Sequence, residues 1–190
     1  MKNTLKTICF LLILVHINCK AQIVPLNNID SPNGAYEKDL DNVLPFWVDT
    51  WKGNVNNKEY TFQFTIFTQH QKTFSNGDYY YADMLMIKLK VVDLNSNLIL
   101  YDNLNSSNFE NYKIRLLAYR LNEFSFYFMD DETNCNNSAK FILLKSDNNP
   151  DQIEYKDFKY GENIYLDCPY DTQTDIPMFL PTEDFILTRQ

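Results

Sequence analysis

Two runs of alternating apolar and polar residues flank an Asn-Gly pair, and they constrain the fold of this chain more than any other feature. Residues 60–66 alternate Tyr, Phe and Ile with Thr and Gln, and residues 85–91 repeat the alternation with Leu, Ile and Val. Such alternation is typical of a strand with one apolar face. Between the runs, Asn76-Gly77 accepts the positive φ angles of a tight hairpin. Because a two-stranded ribbon is not stable alone, we expect further strands to pack onto it.

The chain beyond residue 95 has the pattern of further short strands, at 98–101, 112–120, 124–128, 140–145, 153–160 and 185–188. Short strands separated by turns rich in Asn and Asp predict an all-β domain of about eight or nine strands. We expect an antiparallel barrel, with a β-sandwich as the alternative. A short N-terminal helix is predicted at residues 36–44, because Leu40, Val43 and Leu44 share one helical face and Pro45 ends the run.

Residues 1–21 have the composition of a signal peptide. Lys2 and Lys6 precede an apolar run at residues 8–15, which is followed by polar residues up to Lys20. The run is too short for a membrane-spanning helix, which needs about 20 apolar residues. We therefore predict export, with residues 22–35 as an extended linker and residues 36–190 as a single β domain.

Two cleavage positions are open at the end of this segment. Cleavage before Cys19 would leave its thiol for lipidation, and the acyl chains would anchor the protein in the bacterial outer membrane. Cleavage after Ala21 would leave a soluble periplasmic or secreted protein that begins at Gln22. The preferred prediction is the lipid anchor on Cys19, which makes the membrane a partner.

Once residues 1–21 are removed, the charge is strongly acidic. The segment contains three of the 17 basic residues and none of the 25 acidic ones, so the remainder has a net charge near −11. An acidic surface repels the phosphates of nucleic acid and of anionic membranes. Nucleic acid is therefore excluded as a partner.

Cys135 and Cys168 are the cysteines that remain after Cys19. In an oxidising compartment such a pair usually forms a disulfide, which over this span adds about 3 to 4 kcal/mol in the chain-entropy model. Two isolated cysteines without a neighbouring histidine do not have the spacing of zinc ligands. We predict a structural disulfide and no metal site.

The sequence contains no catalytic motif. His70 is the only histidine beyond residue 21, and it lies between Gln69 and Gln71 near the predicted hairpin tip, where we expect a solvated side chain. Gly-x-Ser-x-Gly, His-Glu-x-x-His and phosphate-binding glycine loops are absent. We predict that the protein is not an enzyme, has no catalytic residue and uses no cofactor.

Three groups of residues carry a resemblance to a known family: CKAQIVPLN at 19–27, DLDN at 39–42 with FWVDTWK at 46–52, and LPT at 180–182 with FILTRQ at 185–190. They resemble a family of small secreted or lipid-anchored flavobacterial proteins of unknown function. The resemblance implies a lipocalin-like β-barrel in which Trp51 closes the base over the core. It also implies that the closing segment pairs back to the first strand and removes an exposed edge. The family usually has glycine two residues before this tryptophan, whereas this chain has Asp49.

Thirteen Tyr and fourteen Phe indicate either a densely filled interior or a pocket lined with rings. The preferred hypothesis is an exported envelope module that holds a small hydrophobic ligand, with an apolar cavity inside the barrel and binding residues still unassigned. The alternative is a non-enzymatic interaction or structural lipoprotein that docks an unidentified envelope component, with a filled core and an outer apolar patch.

Overall fold

The structure, a computed structural model, describes residues 22–26, 31–130, 135, 137–161, 168–170 and 175–190. Two 3₁₀ turns in these ranges are Pro45–Trp47 and Phe109–Asn111. The strands of the same ranges are β1 Ile23–Pro25, β2 Tyr36–Lys38, β3 Thr50–Val55, β4 Lys58–Thr73, β5 Tyr79–Asp93, β6 Ile99–Asp102, β7 Ile114–Arg120, β8 Glu123–Asp130, β9 Asn137–Lys145, β10 Gln152–Tyr160 and β11 Phe185–Arg189.

Eight of the strands close into an antiparallel barrel. The order around it is β5, β4, β3, β11, β10, β9, β8 and β7, and β7 returns to β5 through the pairs Ile114–Ile87 and Arg115–Met86. As the resemblance implied, β11 pairs back to β3. Closure satisfies the backbone groups that an open sheet would expose at its edges. The predicted antiparallel barrel is confirmed, and the sandwich alternative is not adopted.

The three remaining strands lie outside the barrel: β2 and β6 pair with β5, and β1 pairs with β2. On the edge of β5 away from β4, β2 pairs at Tyr81, β7 at Ile87 and β6 near Val91. β1 falls within the segment predicted as a linker and pairs with β2 in parallel. β5 is therefore the strand on which the barrel wall and the outer strands meet.

The predicted hairpin of β4 and β5 is confirmed, but it is longer than the alternation indicated. Pairing runs from Lys58 opposite Asp93 to Thr73 opposite Tyr79. The turn spans residues 74–78 rather than only an Asn-Gly pair, and within it Gly77 alone has a positive φ, of 90°. Since β3 ends its pairing with β4 at residue 63, the tip of the hairpin extends beyond the barrel wall.

Five aromatic side chains cross the interior of the barrel, and we call them the aromatic column: Trp47, Phe64, Phe126, Phe141 and Tyr155. All five are buried. Ring centroids of successive members are 5.7, 6.0, 5.5 and 4.7 Å apart. These separations lie in the range of favourable aromatic contacts. The interior along this path is filled by side chains, which answers the question that composition left open.

Each end of the barrel is covered by a different segment. Where β3 begins, Leu44 and Trp47 are buried against the core. Where β11 begins, Leu180 enters the same core, and the hydroxyl of Tyr155 donates a hydrogen bond to the carbonyl of Pro181 at 2.8 Å. Both ends of the aromatic column are thus covered.

The helix predicted at residues 36–44 is wrong. The first three of these residues form β2, and the 3₁₀ turn begins only after the segment ends. Asn42 has a φ of 53°, which a right-handed helix does not contain. The carboxylate of Asp39 accepts hydrogen bonds from the amides of Val43 and Leu44 at 2.9 and 2.8 Å. These side-chain contacts replace the backbone bonds of a helix.

If the aromatic column supports the barrel, Phe141→Ala should lower the free energy of unfolding by about 3 to 5 kcal/mol, because it leaves a cavity in a packed core. Urea denaturation followed by circular dichroism measures the change. Phe74→Ala is the matched control, because Phe74 is 56% exposed and should change stability by less than about 0.5 kcal/mol. Equal effects of the two substitutions would contradict this role of the column.

Candidate functional site

A second cluster of apolar residues lies on the outer face of the barrel wall. It comprises Phe67, Met84, Met86, Phe109 and Tyr112, and we call it the outer-wall cluster. The ring of Phe67 meets those of Phe109 and Tyr112 nearly at right angles, with centroids 5.2 and 5.1 Å apart. The 3₁₀ turn 109–111 therefore rests on the outside of the β4–β5 hairpin.

A β-bulge in β4 changes which residues face this cluster. Phe67 lies opposite Met84 and His70 lies opposite Ala82, so three steps along β4 match two along β5. The bulge contains Gln69, whose φ is 52°. In an uninterrupted strand, residue 69 would share the face of Phe67 and residue 70 would point to the other side. The bulge therefore turns His70 outward.

His70 is half-buried rather than solvated as the sequence predicted. Its ring stacks on that of Phe109, with centroids 3.7 Å apart and an interplanar angle of 18°. This contact could not be predicted from the sequence. Phe109 is almost 40 residues away from His70, and the alternation of apolar and polar residues does not indicate the bulge. The pair forms a flat aromatic wall.

Hydrogen bonds to the side chain of Asp83 hold the bulge in place. Its carboxylate is only 8% exposed and accepts hydrogen bonds from the amide of Gln69 at 3.1 Å, the amide of Asp39 at 3.0 Å and the hydroxyl of Tyr36 at 2.6 Å. Burial, the hydrogen bond to Asp83 and the negative charge of Asp83 together raise the pKa of Tyr36 to about 12. The carboxylate thus links β2, the following loop and the β4 bulge.

Next to the outer-wall cluster is a cleft of about 350 Å³ that opens to solvent. We call it the side cleft, and the residues that define its chemistry are His70, Lys72, Tyr80, Met84, Phe109 and Arg115. They come from the bulged end of β4, from β5, from the 3₁₀ turn and from β7. Gln71 and Thr73 also line the cleft, so its wall combines apolar and aromatic side chains with cationic and neutral polar ones.

The two cations of the side cleft interact with each other. Burial lowers the pKa of the Lys72 ammonium, the carboxylate of Glu37 partly opposes this shift, and nearby Arg115 lowers the pKa again. The ammonium lies 5.4 Å from the centroid of the Tyr80 ring. Burial, together with Glu37, raises the pKa of Tyr80. Glu37 itself accepts a hydrogen bond from the hydroxyl of Ser31.

A smaller cleft of about 180 Å³ adjoins the first on the side of β2. Lys72, Tyr80 and Met84 line both clefts, whereas Glu37 and Asp83 line only this smaller one. The two carboxylates are therefore separated from Arg115 by the Lys72–Tyr80 pair. The charge of the side cleft itself is positive.

The predicted disulfide is confirmed. Cys135 and Cys168 are bonded, with a sequence separation of 33 and a Cα–Cα distance of 4.8 Å. The bond ties the connection between β8 and β9 to the segment that follows β10, at the end of the barrel where Leu180 lies. Cys19, the predicted lipidation site, lies outside the described residues.

Trp51 is fully buried in the core. Its indole N–H donates to the carbonyl of Trp47 at 2.9 Å, and the guanidinium carbon of Arg189 lies 4.3 Å from its ring centroid. Arg189 also donates to the carbonyl of Phe46 at 2.9 Å and lies 3.5 Å from the carboxylate of Asp49. Sequence reasoning missed Arg189. The carboxylate of Asp49, at the position where the resemblance led us to expect glycine, pairs with that guanidinium.

Among the described residues, no group of three or more His, Cys, Asp and Glu side chains is placed to hold a metal ion. The same part of the chain contains no helix with the length and apolar character required to cross a membrane. Charged groups of the described residues converge in both clefts. In the side cleft they are Lys72 and Arg115, and in the smaller cleft they are Lys72, Glu37 and Asp83.

These features define a closed eight-stranded antiparallel barrel with a filled interior and a cationic, aromatic cleft on its outer wall. The chain belongs to the family of unknown function DUF6705, whose model matches residues 1–190. No curated protein matches the chain, and no solved structure matches it. The sequence resemblance also indicated a family of unknown function, and the family match agrees with that. The flavobacterial origin and the lipid anchor remain predictions.

If Asp83 holds the bulge in place, Asp83→Asn should lower the free energy of unfolding by about 2 to 3 kcal/mol, because an amide group would face backbone N–H donors. Asp102→Asn is the control for a carboxylate at a more exposed site: Asp102 lies 3.6 Å from Lys90 and accepts a hydrogen bond from the amide of Leu104 at 2.9 Å. Because solvent screens these contacts, the loss should be at most about 1 kcal/mol. Urea denaturation measures stability, and the amide resonance of Gln69 reports on the bulge. An unchanged Gln69 resonance in Asp83→Asn would contradict this role.

Proposed function

We propose that this protein is an exported, non-enzymatic binding module that takes its ligand on the outer wall of the barrel. The observation that carries the proposal is the filled interior, together with a side cleft of about 350 Å³ outside it. Clefts of this size with apolar walls and few polar groups are typical of small-molecule sites. The outer-wall cluster supplies the apolar surface.

A small apolar ligand inside the barrel was the preferred hypothesis from sequence, and it would require the aromatic column to move. Each ring of the column contacts the next, and close-packed interiors resist the insertion of further atoms. The apolar character of the expected ligand fits the outer wall better, where Met84 and Phe109 line an open cleft.

Export is supported by two observations from different parts of the chain. Residues 1–21 have the pattern of a signal peptide. The bond between Cys135 and Cys168 is typical of oxidising compartments. The lipid anchor on Cys19 rests on the sequence alone, and the soluble periplasmic or secreted form remains its alternative.

A second candidate function, docking to another envelope component, is favoured by an exposed apolar strip at β6. Leu98, Ile99 and Leu100 are 62%, 59% and 40% exposed. β6 pairs only with β5 among the described strands, and an unpaired edge can accept a strand from another protein. A partner bound there would cover residues 98–100 and leave the side cleft open.

Mapping with benzene and indole by amide chemical shifts tests where the protein binds small compounds. We expect shift changes at residues 70–73, 80–84 and 109–115, and none at the interior positions 124–128 and 139–143. Phe141→Ala provides the control, because a cavity in an apolar core binds benzene and should add interior shifts. Interior shifts in the unmodified protein, with none at the side cleft, would contradict outer-wall binding.

For the anchor, Cys19→Ser should move the protein from the membrane fraction to the soluble envelope fraction of its native host, because the thiol that carries the lipid is lost. Cys9→Ser changes the same residue type within the signal segment and should leave the distribution unchanged. Membrane association that persists in Cys19→Ser would refute the lipid anchor.

A further inference from the structure

The side cleft combines two positive charges with no carboxylate in its lining. Lys72 and Arg115 line it, and the nearest carboxylates, Glu37 and Asp83, lie beyond Lys72 in the smaller cleft. Asp83 already accepts three hydrogen bonds, and Glu37 accepts one from Ser31. Neither carboxylate forms an ion pair with Arg115 in the described residues.

Arg115 is unusual among the cations of the described residues. Its Nε is buried without a hydrogen-bond acceptor, and no carboxylate of the described chain lies within ion-pair distance of its guanidinium. Lys52, Lys90, Lys113, Lys156 and Arg189 each lie within 4 Å of a carboxylate. Several other cations of the described residues are not in such pairs, so the distinguishing feature of Arg115 is the buried Nε without an acceptor. With 25 acidic residues against 17 basic ones, the chain does not lack acceptors.

A buried charged donor without an acceptor is costly, and the neighbouring ammonium of Lys72 adds repulsion between like charges. An anion placed between the two groups would relieve this repulsion. The guanidinium offers paired N–H donors that match the two oxygens of a carboxylate, and the ammonium offers a point charge. The chemistry of this pair is therefore suited to a carboxylate.

The remaining lining determines what the carboxylate is attached to. The stacked rings of His70 and Phe109 form one flat wall, and the Tyr80 ring lies beneath the Lys72 ammonium. Met84 adds a flexible apolar surface between them. Flat walls of this kind favour a flat apolar group, because stacking and burial then act together.

We propose that the side cleft binds a small organic carboxylate carried on an aromatic or other flat apolar ring, with Arg115 and Lys72 holding the carboxylate and Phe109 packing against the ring. This inference rests on the proposed outer-wall function and adds the chemical class of the ligand. The acidic surface elsewhere on the protein then contributes to selectivity, because an anion is repelled from other faces.

The test compares 2-naphthoate with 2-naphthamide on the full, disulfide-bonded chain. The two probes share a ring system and differ in charge. The readout is the Nε–Hε resonance of Arg115, which Arg115→Gln identifies among the three arginines of the chain. We expect 2-naphthoate to shift this resonance saturably and to bind at least about tenfold more tightly than 2-naphthamide.

The variants distinguish loss of the Arg115 or Lys72 charge from a general effect of substitution on binding. Arg115→Gln and Lys72→Gln should each weaken binding of 2-naphthoate about tenfold, and Arg115→Lys should restore only part of it, since an ammonium cannot bind both oxygens in a fork. Arg120→Gln is the matched control, because Arg120 is an exposed arginine on the same strand. It should bind both probes like the unmodified protein.

Inorganic phosphate should shift the Arg115 resonance only weakly, because it has no ring to pack on Phe109. Equal affinity for 2-naphthoate and 2-naphthamide at the side cleft would overturn the carboxylate inference and leave outer-wall binding intact. Unchanged 2-naphthoate binding in the Arg115→Gln/Lys72→Gln double variant would overturn it as well. Failure of outer-wall binding itself would be visible separately, as benzene and indole shifts located in the interior.

Discussion

The contact of aromatic rings across the barrel interior is the interaction on which the rest of the fold depends. A barrel of eight strands encloses a space that side chains can just fill, and here Phe64, Phe126, Phe141 and Tyr155 reach into it from β4, β8, β9 and β10. β4 is distant in sequence from the consecutive strands β8, β9 and β10, so the contact of Phe64 with Phe126 joins parts of the chain that local structure cannot bring together. Because the interior is occupied, any surface for binding must be built outside.

The outer site arises where the regular alternation of β4 is interrupted. The bulge at Gln69 adds one residue, and the carboxylate of Asp83 fixes that residue by accepting its amide hydrogen. His70 and Lys72 consequently share a face with Phe67, next to the strand pair that closes the barrel. Arg115 belongs to that closing pair, opposite Met86. The side cleft is therefore built on the strand pair that closes the barrel. The pairing registers of β4, β5 and β7 set the positions of Lys72 and Arg115.

Sequence alternation predicted the strands well, because residues 60–66 and 85–91 show which face is buried whatever surrounds them. The same reasoning failed at residues 36–44, where Leu40, Val43 and Leu44 have helical spacing but Asp39 binds the amides that a helix would use. The disulfide was predictable because the sequence beyond residue 21 contains two cysteines, and each can form a disulfide only with the other. The side cleft was not, because it joins Lys72, Phe109 and Arg115 through a bulge and a closing register that no local pattern encodes.

Trp51 was assigned to the barrel base through resemblance, and its burial beside Arg189 has a practical consequence. The chain has two tryptophans, and the ring contacts of Trp47 and Trp51 are with Phe46, Phe64, Phe124 and Phe126. Both indoles therefore lie at the end of the barrel where β3 begins. Their fluorescence reports on the packing of that end of the barrel, and loss of this packing on unfolding would change the emission of both indoles together.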